Sequence, residues 1–121
     1  MPTSSEIFLF GEFRLDRDGG GLFRRDADGI FVPVAVGSRA LEILAVLVER
    51  QGEIVPKEEI IVAGWPRTMV AEGNLFVQIA ALRRILDGRK SGQSCIQTVI
   101  GRGYRFIGPV RRIEPISRRR S

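Results

Sequence analysis

The chain has 121 residues, of which 44% are hydrophobic and 27% charged, and this balance is typical of a single globular domain and argues against extensive disorder. It contains no histidine and only one cysteine, Cys95, which excludes a Ser-His-Asp triad, a multi-cysteine metal site and an internal disulfide. We therefore predict a non-enzymatic protein with no catalytic residues, no metal site and no cofactor.

Charge is unevenly distributed along the chain, although the net value of +5 is modest. Residues 1–70 carry 8 Lys/Arg and 11 Asp/Glu, whereas residues 71–121 carry 11 Lys/Arg and 3 Asp/Glu. This asymmetry favours a polyanion as the partner of the C-terminal half, and a merely solvated basic surface is the alternative. The chain has neither an apolar stretch of the ~20 residues that span a bilayer nor a signal-peptide pattern, so we expect a cytoplasmic protein.

The first 36 residues alternate short β-forming runs with turns rich in glycine and aspartate, which predicts a small antiparallel sheet. Pro33 limits the last run to an edge or irregular strand, because proline has no backbone N–H to donate. The predicted strands are Ile7–Phe10, Glu12–Leu15, Leu22–Arg25 and Ile30–Val36.

Two helices are predicted next, over residues 38–51 and 56–64. Ser38 is predicted to cap the first helix, because its hydroxyl can accept a hydrogen bond from an unpaired amide of the first turn. Gly52 follows the end of that helix, where glycine is common. Pro56 opens the second helix, since its fixed φ suits a first turn.

The third helix, predicted over residues 71–86, has the clearest periodicity. Its inward stripe repeats at i, i+4, i+7 and i+11 and comprises Leu75, Ile79, Leu82 and Leu86. The opposite face carries Asn74, Val77, Gln78 and Ala81, followed by Arg83 and Arg84. Amides pair with adenine, methyl groups contact thymine, and arginines reach phosphate or guanine, so this face fits a DNA major groove. An ordinary amphipathic helix with a solvated polar side is the alternative.

A hairpin is predicted over residues 95–107, where two β-like runs are joined by Gly101-Arg102-Gly103. The glycines permit the positive φ values of a tight turn, which carries Arg102 at its tip. A phosphate-binding loop is rejected, because neither glycine-rich motif is completed and a strand follows instead of a helix. Three helices and a hairpin predict an α+β winged helix-turn-helix with an N-terminal antiparallel β-sheet.

Three stretches resemble the OmpR/PhoB-type winged helix-turn-helix transcription regulators. Val70–Leu86 is similar to the recognition helix of that family, Thr98–Phe106 to its wing, and Gly52–Ile60 to the start of its second helix. The resemblance covers residues 7–108 and implies sequence-specific binding of double-stranded promoter DNA, often by paired protomers on direct repeats. It also implies that the loop at about Trp65–Ala71 contacts RNA polymerase.

The chain departs from the family pattern at Gly73, Ala80, Ala81 and Ile100, where family members commonly carry basic or polar residues. Fewer base and phosphate contacts would relax recognition and leave more of the binding to the arginines. Tyr104 is either a phosphate contact or a core residue, and Arg105 lies on either face of the hairpin. The predicted DNA contacts are Asn74, Val77, Gln78, Ala81, Arg83, Arg84, Arg102, Tyr104 and Arg105.

Residues 1–108 are thus predicted to form the DNA-binding domain, and residues 109–121 a basic tail or linker. Because the domain is N-terminal here, the chain resembles the branch of the family in which another region follows, and we expect it to be the first domain of a longer regulator. The alternatives are a winged-helix protein-interaction module with weak or no DNA binding, and an RNA-binding domain. RNA binding is disfavoured because the chain offers few exposed aromatic platforms and no RNA-binding motif.

Overall fold

The structure is a computed structural model that describes residues 6–17, 20–67, 70–88 and 94–113, and every structural statement below concerns these residues. The elements in chain order are β1 (Ile7–Phe10), β2 (Phe13–Asp16), β3 (Gly21–Arg25), β4 (Phe31–Pro33), α1 (Ser38–Glu49), α2 (Lys57–Gly64), α3 (Glu72–Asp87), β5 (Ile96–Val99), β6 (Gly103–Phe106) and β7 (Arg111–Ile113). They form two compact units. One comprises the residues up to Ala35 and from Pro109 onward, and the other comprises Val36–Gly108.

The first unit is a five-stranded antiparallel sheet with the strand order β4-β3-β2-β1-β7. Along β1 and β2, buried side chains alternate with half-buried ones, as a sheet with one core-facing side requires. The register aligns Phe8 with Leu15 and Leu15 with Leu22, and these three side chains are at most 1% exposed. The predicted N-terminal antiparallel sheet is therefore present.

Strand β7 contradicts the prediction of a basic tail from residue 109 onward. Ile113 aligns with Ile7 of β1, and Arg111 aligns with Leu9. Without this partner, β1 would leave a row of unpaired backbone groups at the edge of the sheet. The neighbouring Arg112 is held by Glu6, with 3.5 Å between Nε and Oε1. The rest of the predicted tail, residues 114–121, lies outside the described residues.

In the second unit, α1 forms the centre of the core. Its buried residues are Ala40, Ile43, Leu44, Ala45, Leu47 and Val48. The predicted cap at Ser38 is wrong, because Ser38 is already helical and Gly37 occupies the N-cap position without a side-chain hydrogen bond. The carbonyl of Gly37 accepts the first helical bond, from the Leu41 amide at 2.9 Å.

The inward stripe of α3 is confirmed, since its four predicted side chains are at most 5% exposed. Trp65 and Phe106 are also buried, and β5 and β6 form the predicted hairpin, called the wing below. The longest described helix, α3, has 16 residues, and none of the described helices has both the length and the apolar character needed to cross a bilayer.

Candidate nucleic-acid interface

The most exposed face of α3 is a row of four residues, Gly73, Val77, Ala80 and Arg84, called the outer stripe below. These residues are spaced i, i+4, i+7 and i+11, which is the period of the buried stripe displaced by two residues. All four are exposed, and Val77 has 62% of its surface accessible. The helix therefore presents small and apolar groups outward and ends in a cation.

The other residues predicted for this face lie on one flank of the outer stripe. Asn74 is exposed near the helix start, whereas Gln78 and Ala81 are half-buried. Val77 and Arg84 are exposed, as expected of predicted DNA contacts, whereas the equally exposed Gly73 and Ala80 were not among the predicted contacts. The 3.6-residue period, counted from Val77, would have identified them both.

Arg83 lies on the opposite flank, where its guanidinium binds strand β5. Its Nε and Nη2 donate to the Ile96 carbonyl at 3.1 and 2.8 Å, and Nη2 also donates to Thr98 Oγ1 at 2.8 Å. One helical turn later, Asp87 Oδ1 accepts the Cys95 amide at 3.3 Å. These contacts hold β5 against α3, so the predicted DNA contact Arg83 is an anchor of the wing.

The root of the wing is joined to the connection between α1 and α2. Val55 donates its amide to the Tyr104 carbonyl at 2.8 Å and accepts the Tyr104 amide at 3.1 Å. Gly103, with φ +145°, makes this approach possible, because a Cβ atom there would lie 2.1 Å from the Val55 carbonyl oxygen. Gly103 therefore permits two backbones to meet, a role the sequence did not reveal.

The tip of the wing is a tight turn closed by the Arg102 amide, which donates to the Val99 carbonyl at 2.9 Å. Gly101 has φ +77° at the third position of this turn, as glycine commonly does there. The turn exposes Arg102, as predicted, and it also exposes 92% of Ile100. An apolar and a cationic side chain thus share the tip.

The two other predicted wing residues are less accessible. Tyr104 is only 4% exposed, so its ring belongs to the core. This burial raises the pKa of the Tyr104 hydroxyl, against the opposing influence of Arg83 and Lys57. Arg105 is half-buried, and its Nε and Nη2 both donate to Gln97 Oε1, at 2.9 and 2.8 Å.

Exposed apolar side chains of the second unit are concentrated at this interface. Among its described residues, the large hydrophobic side chains exposed to solvent are Val62, Phe76, Val77 and Ile100. Three of these four lie on α3 or at the wing tip, the two elements that also expose Arg84 and Arg102. A surface that combines apolar groups with cations is suited to binding a partner that is both charged and apolar.

The sequence profile described as "Transcriptional regulatory protein, C terminal" matches residues 32–106. The transcriptional regulator HilA of Salmonella typhimurium strain LT2 is 36% identical over 115 residues, which cover 95% of this chain and 20% of HilA. The chain therefore spans about a fifth of the length of this curated relative.

Two solved structures share the fold. The DNA-binding domain of Escherichia coli CadC matches with a TM-score of 0.71 and 23% identity, over 89% of this chain and 97% of that one. The DNA-binding domain of the response regulator AdeR, solved in complex with an intercistronic region, matches with a TM-score of 0.65 and 16% identity, over 82% and 97% of the two chains. At these identities the likeness establishes the fold, and the predicted winged helix-turn-helix is confirmed.

Proposed function

This chain belongs to the OmpR/PhoB-type family of C-terminal domains of transcriptional regulatory proteins, and on that premise we propose that it binds double-stranded DNA sequence-specifically as part of a bacterial transcription regulator. In this proposal, α3 enters the major groove and the wing contacts the minor groove or the phosphate backbone. These are the docking positions expected for a winged helix-turn-helix.

The observation that carries the proposal is the composition of the outer stripe. From Gly73 to Leu86, α3 has no acidic residue, whereas a helix face that is merely solvated is usually rich in Glu and Lys. A helix fits the major groove, which is about 12 Å wide, and small residues allow it to approach the bases closely. The methyl groups of Val77 and Ala80 can then contact thymine, and Asn74 and Gln78 can pair with adenine.

Phosphate contacts are assigned by the availability of each arginine. Arg84 and Arg102 are exposed and reach into solvent, so they are the principal phosphate contacts in the proposal. Arg83 and Arg105 are both engaged within the domain, with β5 and with Gln97, and they support the wing. Tyr104 is buried, so it is the least accessible of the predicted DNA contacts.

Binding by paired protomers to direct repeats in promoters is part of the proposal, as is a contact of the loop at about Trp65–Ala71 with RNA polymerase. Residues 68 and 69 of that loop lie outside the described residues. A regulator that binds promoter DNA would act in the cytoplasm.

The proposal is tested by measuring the binding of labelled duplex DNA at several salt concentrations. We expect affinity to fall steeply with salt, and Arg84→Ala and Arg102→Ala each to reduce the slope by about one phosphate contact. Arg25→Ala, which removes an exposed arginine of β3, is the matched control and should leave the slope unchanged. If the wild type binds duplex no better than a neutral protein of similar size, the proposal fails and the protein-interaction module replaces it.

Specificity is tested by selecting sites from random duplexes. Asn74→Ala and Gln78→Ala should change the selected sequence more than the total affinity, because each good base contact contributes about 1–3 kcal/mol of discrimination. Identical selected sites for both variants and the wild type would contradict base readout by this flank of α3.

A further inference from the structure

Ile100 is the most exposed of the large hydrophobic residues. Its exposed fraction of 92% compares with 39 to 62% for the five other exposed large hydrophobic residues of the described chain. A single exposed apolar residue is common in soluble proteins and needs no special explanation. Here, however, it occupies the tip of the element that is proposed to touch DNA.

The wing is braced in a way that keeps Ile100 outward. The pair of backbone hydrogen bonds between Val55 and Tyr104 fixes β6, and Arg83 fixes β5 through Thr98. The turn itself is closed by the bond between Arg102 and Val99. A tip held in this way cannot easily fold back to bury its apolar side chain against the domain.

The chemistry of the tip matches the minor groove of DNA. Arg102, two residues after Ile100, brings a positive charge to the phosphates that border the groove. Isoleucine is among the apolar residues that architectural proteins insert between base steps from the minor groove, where they partly unstack the bases and kink the duplex. The tip thus combines a group suited to the phosphates with a group suited to the base stack.

We propose that Ile100 is an apolar wedge that enters the minor groove and partly unstacks one base step. This inference rests on the proposed function and adds a means of selectivity that requires no hydrogen bond to a base. Steps such as TA and CA unstack most easily, so the wing favours sites that place such a step beneath its tip.

The test begins with a selection by the wild type from random duplexes of about 30 base pairs, a length that holds two half-sites one helical turn apart. In the selected site, each adenine of the segment flanking the α3 contact is replaced in turn by 2-aminopurine, whose fluorescence rises when it is unstacked. We expect the wild type to raise the fluorescence at one step. Ile100→Ala should abolish that rise and bind about tenfold more weakly, which corresponds to about 1.4 kcal/mol.

Two control variants distinguish the loss of an apolar side chain at the wing tip from other effects of substitution. Ile100→Leu should retain both the fluorescence rise and the affinity, because leucine can also serve as a wedge. Val62→Ala, which shortens an exposed valine of α2, should behave like the wild type. On a site whose flexible step is replaced by AA, Ile100→Ala and the wild type should bind equally well.

The outcomes separate this inference from the proposed function. If the wild type selects a site and Ile100→Ala matches it in affinity and fluorescence, the wedge is disproved while DNA binding stands. The absence of any fluorescence rise with the wild type disproves the wedge in the same way. If the wild type selects no site at all, the proposed function fails and the wedge fails with it.

Discussion

Arg83 of α3 and Thr98 of the wing are joined by a hydrogen bond of 2.8 Å from Nη2 to Oγ1. Two further bonds from the same guanidinium to the Ile96 carbonyl make this a three-bond attachment. The two elements that are proposed to touch DNA are therefore held in register by a side chain of α3 itself. Rigid placement of this kind reduces the conformational freedom that would otherwise be lost on binding.

Arg83→Ala should loosen the wing without removing a phosphate contact. We expect the free energy of unfolding to fall by about 1–3 kcal/mol, because the Ile96 carbonyl loses its charged donor. Affinity for DNA should fall while the salt slope stays the same, in contrast to Arg84→Ala. Chemical denaturation and salt titration measure the two effects, and Thr98→Val, which removes only one of the three bonds, should give a smaller loss. A salt slope reduced by one contact would instead make Arg83 a phosphate ligand.

The two wing glycines should differ strongly in their tolerance of substitution. Gly103→Ala places a methyl group 2.1 Å from the Val55 carbonyl oxygen, so the pairing of β6 with Val55 must break. We expect a loss of more than about 3 kcal/mol, within the range of severe backbone and packing defects. Gly101→Ala meets no atom within 4 Å and suffers only from its φ of +77°, at about 1–2 kcal/mol. Urea denaturation measures both losses, and equal values for the two variants would contradict the close backbone approach at Gly103.

Gly73→Ala should raise the stability of the domain and weaken its binding to DNA. A Cβ at this position has no neighbour within 4 Å, and alanine favours a helix over glycine by about 0.5–1 kcal/mol, so the variant should be more stable. If the outer stripe lies against DNA, the added methyl group should at the same time weaken binding. A thermal melt and a binding titration on one preparation check both expectations. A variant that is more stable and binds equally well would place Gly73 outside the contact.

Tyr104 should make the domain sensitive to alkaline pH. Its pKa is raised in the folded state chiefly by burial, so the folded protein retains the proton at a pH where the unfolded chain has lost it. The stabilisation is complete below the ordinary value of about 10 and disappears as the pH rises through the folded value. It is the only tyrosine in the sequence, so its ultraviolet absorbance reports this titration directly. Tyr104→Phe should lose this part of the pH dependence, and a tyrosine that titrates at its ordinary value would contradict the burial.

Structural features that depend on local periodicity could be predicted from the sequence. The spacing of Leu75, Ile79, Leu82 and Leu86 determines which side of α3 is buried, and therefore also that Val77 and Arg84 face outward. The family resemblance then supplied the arrangement of helices and wing. Both inferences use information that lies within one element or within one continuous motif.

The features that the sequence did not predict depend on contacts between distant segments. The sequence Arg111-Arg112-Ile113 does not by itself indicate a strand. These residues become one because they pair with the free edge of β1, which lies more than 100 residues earlier in the chain. Arg83 was read as a DNA contact because an arginine near the end of a helix reaches solvent by default, and its bonds to β5 appear only in the folded domain. Tyr104 was left open between core and phosphate for the same reason.

The pairing of Ile7 with Ile113 has a mechanical consequence. In an antiparallel ladder these two residues lie at the same end, so a force that pulls the chain apart at this point would peel β7 from β1 one hydrogen bond at a time. Such unzipping needs far less force than shearing, in which all the bonds of a ladder resist together. The strand that completes the sheet is thus also the part of it that tension would release first.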